Sequence, residues 1–298
     1  MSVTDINVYK IALTLVPGLK CSDAKNLVRA VGSVQQLFAN IHFLERTEGI
    51  SKSIMSALAS QEIIDMAEKQ YDFVKQNNIR IAFFTDDAYP KKLKDISDAP
   101  VLLYSRNGLN FDDYYVLAIV GTRKADDLAK SYIYRFVSDL HNYKRNILII
   151  SGMAVGVDTF AHEAALEYGF KTAAVLGHGL DKIYPSQNSD LADKILSSGG
   201  DLLTEFYWNY AMSPSNFPQR NRIVSGLCDG LLVAQTPVTG GAIYTAKLAN
   251  AYNKDVFAFS GRPDDILFDG CNRLIRNNVA AIVNSAEDLE HYLGWVRE

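Results

Sequence analysis

The sequence predicts an α/β protein, in which a doubly wound, mostly parallel β-sheet follows a small all-helical domain. Three observations lead to this fold class. From Tyr115 onward, short apolar segments alternate with amphipathic segments of helical spacing. The apolar segments are continuous, as in strands that a parallel sheet buries on both faces. Nearly every one of them ends at a glycine or a polar residue, as strands do at the ligand-binding edge of such a sheet.

Residues 1–70 are predicted to be all-helical. Apolar residues recur at helical spacing in segments 8–15, 24–31 and 54–58, and two glycine turns, the first at Gly32 and the second at Gly49, lie between helical segments. Helix, glycine turn, helix is also the pattern of helix-hairpin-helix pairs, whose turn amides bind the DNA backbone. This region, however, has seven basic and seven acidic residues, and phosphate binding favours a local positive surplus. We therefore expect a helical bundle with only a packing role.

Residues 71–298 are predicted to form the α/β domain. A helix that runs to about Gln76 leads into two short strands at 79–85 and 101–104, which turn residues separate. Strands and helices then alternate to the end of the chain. The predicted strands are 116–120, 147–150, 172–176, 202–203, 231–234, 256–259 and 281–283, and the predicted helices between them are 128–140, 159–167, 191–196 and 242–251.

The composition excludes several classes of protein. Of the 298 residues, 48% are hydrophobic and 21% are charged, as in globular proteins. No apolar run approaches the roughly 18 residues of a membrane span and no secretory signal is present, so we expect a cytoplasmic protein without membrane contact. The three cysteines are far apart and lack metal-ligand spacing, which argues against disulfides and a bound metal. A net charge of −4 means that any nucleic acid must bind a local basic cleft.

The predicted strand ends carry the candidate ligand site. Backbone N–H groups at helix starts and arginine guanidiniums both bind phosphate, and glycine lets the backbone approach a ligand closely. Arg123 is the leading candidate because it directly follows a buried strand. The residues that we expect to contact DNA or phosphate are Gly121, Thr122, Arg123, Lys124, Ser151, Gly152, Gly156, Lys182, Phe217, Arg220, Asn221, Arg222, Gly240, Gly241 and Arg273.

Three aromatic residues, Phe217, Tyr184 and Tyr207, lie in the same loops. Nucleobases stack on such side chains in proteins that bind single strands. Aromatic residues also anchor loops without any ligand, and the sequence favours neither role.

Catalytic chemistry is not visible in the sequence. Asp158 and His162 are four residues apart on a predicted helix, but no third ligand accompanies them, and an acidic residue at a helix start has a purely structural explanation. The segment 239–242 lacks the Lys-Ser/Thr end of a nucleotide-binding P-loop. No convincing Ser-His-Asp or Cys-His set is present. We therefore expect a binding protein without a cofactor, rather than an enzyme.

Five motifs in this order resemble the DNA processing protein A family, also called Smf. They are LAIVGTRK, SGMAVGVDTFAH, VLGHGLDKIYP, NFPQRNRIVSGL and GCNRLIR, and the resemblance covers roughly residues 89–289. It implies an extended Rossmann-like fold that binds and protects single-stranded DNA and loads the RecA recombinase in natural transformation. It also implies a homodimer through the Rossmann-like domain and an N-terminal domain of the SAM-like, helix-hairpin-helix type. Arg123 falls on the arginine of the family's DNA-contacting G-S/T-R motif.

The chain departs from the family pattern at three places. Thr239 stands where the family usually has an arginine, which predicts a weaker hold on DNA by the loop before Gly240 and Gly241. Gln235 replaces a common glutamate. The chain stops at Glu298, so we expect no C-terminal winged-helix domain.

Two other functions remain open at this stage. Segment 237–242, PVTGGA, superficially resembles the P-G-G-x-G-T loop of nucleotide phosphoribohydrolases, although the catalytic glutamate that follows that loop is absent here. A nucleotide-sensing module without a DNA role is the third possibility.

Overall fold

The computed structural model describes residues 4–41, 51–142 and 146–294. The strands found there are β1 Arg80–Phe83, β2 Leu102–Ser105, β3 Tyr115–Val120, β4 Ile147–Ser151, β5 Lys171–Val175, β6 Asp201–Thr204, β7 Gly230–Val233, β8 Asp255–Ala258 and β9 Ala281–Ile282. The helices are α1 Ile6–Leu15, α2 Cys21–Val31, α3 Val34–Ala39, α4 Lys52–Leu58, α5 Gln61–Gln76, α6 Lys91–Lys94, α7 Asp127–Asp139, α8 Val157–Glu167, α9 Ser189–Ser197, α10 Asn216–Leu227, α11 Gly241–Ala251, α12 Asp269–Arg276 and α13 Glu287–Leu293.

The strands form one sheet in the order β1-β2-β6-β5-β4-β3-β7-β8-β9. The strands from β6 to β9 in this order are all parallel, whereas β2 pairs antiparallel with both β1 and β6. From the adjacent strands β3 and β7, the chain continues in opposite directions across the sheet. Such a switch point opens a ligand crevice beyond the carboxyl ends of the two strands. The predicted doubly wound, mostly parallel α/β fold with a helical N-terminal part is confirmed.

The sheet strands are continuously apolar because helices cover both of its faces. Residues 116–119 of β3 are fully buried. Right-handed crossovers place α7, α8 and α9 on one face, where α8 packs against β3, β4 and β5. The same rule places α10 and α11 on the opposite face, where they pack against each other. This layering brings the first turns of several helices to the carboxyl edge of the sheet.

The N-terminal helices pack against the antiparallel part of the sheet. Lys10 of α1 forms an ion pair with Asp86 at 2.8 Å, and the rings of Phe73 and Trp208 stack with centroids 4.9 Å apart. The predicted boundary at residue 70 lies inside α5, so we propose that the helical domain extends to the turn at Asn78, which has a φ of 51°. The first predicted glycine turn ends α2 at Gly32, and the second, at Gly49, lies outside the described residues.

Most predicted elements lie within a few residues of the observed ones, whereas helices α3, α6, α10, α12 and α13 were not predicted. Among the described helices, none combines the length and the apolar character that crossing a bilayer requires.

Candidate nucleic-acid interface

The loops at the carboxyl edge are joined to one another by backbone contacts. Thr122 N–H donates to the carbonyl of Gln235 at 2.7 Å, and Val157 N–H donates to the carbonyl of Thr122 at 3.2 Å. Gly156 has a φ of 83°, and a Cβ there would overlap the Thr122 carbonyl. A Cβ on Gly121 would lie 2.6 Å from the carbonyl of Gln235. Gly121 and Gly156 are therefore required by the close packing of the loops that present Arg123.

Three side chains, from two loops and the first turn of α10, meet at this edge, and we call Arg123, Phe217 and Tyr184 the rim cluster. Arg123 is exposed, and its Cζ lies 5.3 Å from the ring centroid of Phe217 in the first turn of α10. The ring of Tyr184 is 5.8 Å from that of Phe217. The cluster combines a guanidinium that is free to bind phosphate with aromatic rings on which bases stack.

Two lysines that are predicted to contact phosphate lie close in sequence to residues of the rim cluster. Lys124 is exposed, and its N–H donates to the Thr122 hydroxyl at 3.2 Å, which braces the Arg123 loop. Lys182 is half-buried, and its Nζ lies 3.6 Å from the Asp181 carboxylate. Asp181 therefore offsets part of the charge that Lys182 offers to a ligand.

Arg220 lies in the interior, directly beneath the loop that follows β4. It is buried, its Nη1 donates to the carbonyl of Val175, and its Nε donates to Asn221 Oδ1 at 3.0 Å. A Cβ on Gly152 would overlap the guanidinium, so the glycine leaves room for Arg220. Arg220 therefore supports this loop from below, which argues against its predicted contact with phosphate.

The counter-charge of Arg220 is Asp158, at the start of α8. Its carboxylate accepts N–H bonds from Gly152 at 3.1 Å and from Ala154 at 3.2 Å. Burial raises the pKa of Asp158, while the charge of Arg220 opposes this rise. The Ser151 hydroxyl is also buried and donates to the Ile119 carbonyl at 2.6 Å. The Ser151 hydroxyl and the Gly152 N–H are thus both engaged inside the protein, which argues against their predicted contact with phosphate.

His162 is buried and is bound to the sheet. The Thr172 hydroxyl donates to the carbonyl of Ile149, so it accepts a hydrogen bond from His162 Nδ1 at 2.6 Å. Asp158 and His162 thus make separate structural contacts rather than a shared ligand set. The described residues contain no group of three or more His, Cys, Asp or Glu side chains placed to hold a metal ion.

The parent protein should lose about 2 kcal/mol of unfolding free energy through His162 between about pH 8 and pH 5. Burial, with a smaller contribution from Arg220, lowers the pKa of His162 to about 3, whereas an unfolded histidine titrates near 6.5. The unfolded state therefore binds more protons between these values, and stability falls as the pH drops below about 6.5. Urea unfolding of the parent and of His162→Gln at both pH values measures the loss of unfolding free energy that is due to His162. If the two proteins lose equal stability between these pH values, the inference that folding lowers the pKa of His162 is wrong.

Arg222 points away from the rim cluster. Its side chain is buried and forms an ion pair with Glu205, next to Cys21 and Lys25 of α2. Burial raises the pKa of Glu205, and the charge of Arg222 opposes that rise. This placement argues against the predicted phosphate contact of Arg222, because its guanidinium is paired with the Glu205 carboxylate instead.

Arg273 lies at the β8 end of the carboxyl edge. It is exposed on α12 and lines an open cleft of about 600 Å³ together with Val238 and Arg276. Gly240 packs so closely on Thr236 that a Cβ would overlap the Thr236 hydroxyl, whereas a Cβ on Gly241 would meet nothing within 4 Å. Arg273, Val238 and Arg276 thus line a second concavity that contains no residue of the rim cluster.

Gln235 has a role that the sequence did not reveal. Its Nε2 donates to Asp126 Oδ1 at 3.0 Å, and Asp126 N–H donates to its Oε1 at 3.3 Å. Asp126 also caps α7 by accepting from Ala129 N–H at 2.9 Å. A glutamate at position 235 would place a second carboxylate beside Asp126, so the amide suits this pairing.

Comparison with known proteins identifies the family. The family model described as DNA recombination-mediator protein A matches residues 80–294. The chain belongs to this family. The resemblance predicted from the five motifs is confirmed, and the matched residues include the whole rim cluster.

Members of the DNA recombination-mediator protein A family from several bacteria are similar to the chain. It is 38% identical over 228 residues to DNA processing protein DprA of Streptococcus pneumoniae, covering 76% of this chain and 77% of that one. It is 36% identical over 214 residues to protein Smf of Synechocystis, covering 70% and 53%, and 32% identical over 224 residues to protein Smf of Escherichia coli, covering 75% and 59%. The match thus spans little more than half of these two Smf proteins.

Two solved structures of DprA proteins match the fold. The X-ray structure of DNA processing protein A from S. pneumoniae has a TM-score of 0.76 and 30% identity, covering 98% of both chains. A structure of DNA processing protein A from Helicobacter pylori, which concerns the single-stranded DNA binding mode of that protein, has a TM-score of 0.62 and 27% identity. It covers 73% of this chain and 97% of that one.

Proposed function

We propose that this protein binds single-stranded DNA at the rim cluster and acts as a cytoplasmic recombination mediator. In this role it protects incoming strands and loads the RecA recombinase during natural transformation. The observation that carries the proposal is Arg123, held exposed over Phe217 at the switch point of the sheet. Membership of the recombination-mediator family and the single-stranded DNA binding of the H. pylori protein support it.

The geometry favours contact with the sugar-phosphate backbone over recognition of base sequence. Arg123 presents a planar fork of donors, Lys124 adds a second exposed cation, and the hydroxyl of Thr122 braces the turn that carries both of them. Phosphate contacts of this kind position a strand without reading its sequence, and stacking on aromatic rings is equally tolerant of base identity. The rim cluster suits a single strand, because the unpaired bases of such a strand can turn outward and stack on an aromatic ring.

We also propose that two copies associate through the Rossmann-like domain. Within the part of the chain that the structure describes, the outermost parallel strand, β9, has no partner strand on one edge, and Ile282 on it is 45% exposed. An exposed apolar edge strand is a ready template for pairing with another chain. RecA loading and the homodimer rest chiefly on the family resemblance.

A titration with matched oligonucleotides tests the proposed function. We expect oligothymidine to bind at least tenfold more tightly than a duplex of the same length, with an affinity that falls steeply as salt is raised. Incubation with AMP should release no adenine, because the acid that a phosphoribohydrolase needs after the glycine loop is replaced by Ala246 and Lys247. Equal binding of single and double strands, or adenine release with turnover, would contradict the proposal.

A further inference from the structure

Tyr184 is the most exposed aromatic side chain of the rim cluster, and its backbone is firmly held. The residue is 45% exposed, although its N–H donates to Nε2 of His178 at 3.2 Å. His178 is buried, and its Nδ1 lies 2.8 Å from the carbonyl of Gly179. Since Nε2 accepts from Tyr184, Nδ1 carries the proton and donates to Gly179. A buried neutral histidine thus holds the backbone of Tyr184 in place, while the tyrosine ring projects outward.

The neighbouring ring of Phe217 is less available. It is half-buried, the guanidinium of Arg123 lies over it, and a Cβ on Gly177 would sit only 3.0 Å from its edge. Phe217 therefore serves first to support Arg123. A base that approaches the rim meets the open ring of Tyr184 without displacing any of these contacts.

The two rings offer separate stacking surfaces. Their centroids are 5.8 Å apart and their planes are inclined by 41°. A base between two rings would need about 7 Å, twice the contact distance of carbon atoms, so none fits between them. The inclination also turns the outer face of Tyr184 away from that of Phe217.

We propose that Tyr184 stacks on one nucleobase of the bound strand, adjacent to the phosphate that Arg123 holds. This inference deepens the proposed function and rests on it. It also assigns a path for the strand. The strand runs from the loop after β3 toward the loop after β5, where Tyr184 and Lys182 lie, and away from the cleft around Arg273. Any base is accepted, because every base has a π-face.

Affinity measurements with variants of Tyr184 test the proposal. Binding of labelled oligothymidine by Tyr184→Ala should be roughly 5- to 150-fold weaker than by the parent, since one base–aromatic stack is lost. Tyr184→Phe should bind like the parent, because the ring is kept, and Tyr184→Leu should resemble the alanine variant. Tyr115→Ala is a matched control, because Tyr115 is 38% exposed at the opposite end of β3.

Two further readouts separate stacking from a merely structural effect. The salt dependence of binding should be the same for Tyr184→Ala and the parent, since no phosphate contact is removed. An abasic strand with the same phosphates should bind both proteins equally. If Tyr184→Ala does not fold, the difference between Tyr184→Phe and Tyr184→Leu decides the question.

The outcomes distinguish this inference from the function on which it rests. If Tyr184→Ala and Tyr184→Leu bind oligothymidine like the parent while Arg123→Ala binds weakly, the stacking role of Tyr184 is wrong and the proposed function stands. If Arg123→Ala also binds like the parent, the proposed function itself is wrong.

Discussion

Arg123→Ala is expected to weaken binding of oligothymidine roughly 10- to 150-fold, because a charge-assisted contact with phosphate contributes about 1.5–3 kcal/mol. The slope of log affinity against log salt should become shallower by about 0.7, as one fewer counterion is released from the single strand. Fluorescence anisotropy at several salt concentrations measures both effects. The loss should be similar for all base sequences, since a phosphate contact carries no sequence information.

A second arginine on a different surface provides the control for this substitution. Arg135 of α7 is exposed and lies over Tyr132, with its Cζ 5.6 Å from the ring centroid, much as Arg123 lies over Phe217. Arg135→Ala removes the same charge from the protein but should leave binding within about twofold of the parent. Equal losses in the two variants would mean that overall charge, and not the rim cluster, attracts the strand.

Gly152→Ala is expected to destabilise the fold by about 1–3 kcal/mol, a loss typical of overpacking in the interior. The added Cβ would overlap the guanidinium of Arg220, which is buried and bonded to the carbonyl of Val175. Moving Arg220 would also separate it from Asp158 and leave a buried carboxylate without its counter-charge, which is costly. Urea unfolding measures the loss.

Gly241→Ala is the matched control, because a Cβ at that position would meet no atom within 4 Å. Its stability should lie within about 0.5 kcal/mol of the parent. A double-mutant cycle of Gly152→Ala with Arg220→Ala should be strongly non-additive, since both changes act on one contact. If Gly152→Ala costs no more than Gly241→Ala, the buried position of Arg220 is incorrect.

The parallel sheet could be predicted from sequence because strands that are buried on both faces consist almost entirely of apolar residues. The strands at 116–120, 147–150 and 231–234 contain only apolar residues, and each was predicted within about one residue. No local sequence pattern indicates the antiparallel pairing of β2 with β6, since this pairing joins segments almost 100 residues apart. Pairing partners depend on the tertiary structure and not on the local pattern.

The chemical character of the candidate site could be predicted, but the direction of its side chains could not. Arg123 follows a strand end, where the chain leaves the sheet and the side chain stays exposed. Arg220 and Arg222 lie on α10, which is packed between the sheet, α11 and α6, so both of them are buried. Their partners, Asp158 and Glu205, are distant in sequence and carry no signal that marks them as counter-charges.

Cross-linking of the parent protein to an oligothymidine that contains 5-iodouracil, followed by identification of the linked peptides, is the most direct test of DNA binding at the rim cluster. Because the iodinated base reacts with aromatic side chains that it touches, the expected links are to Tyr184 and Phe217. The Arg123→Ala protein should give markedly fewer of them at equal protein concentration. Links confined to the α12 surface around Arg273, or to the N-terminal helices, would contradict the proposal that the strand lies over Arg123.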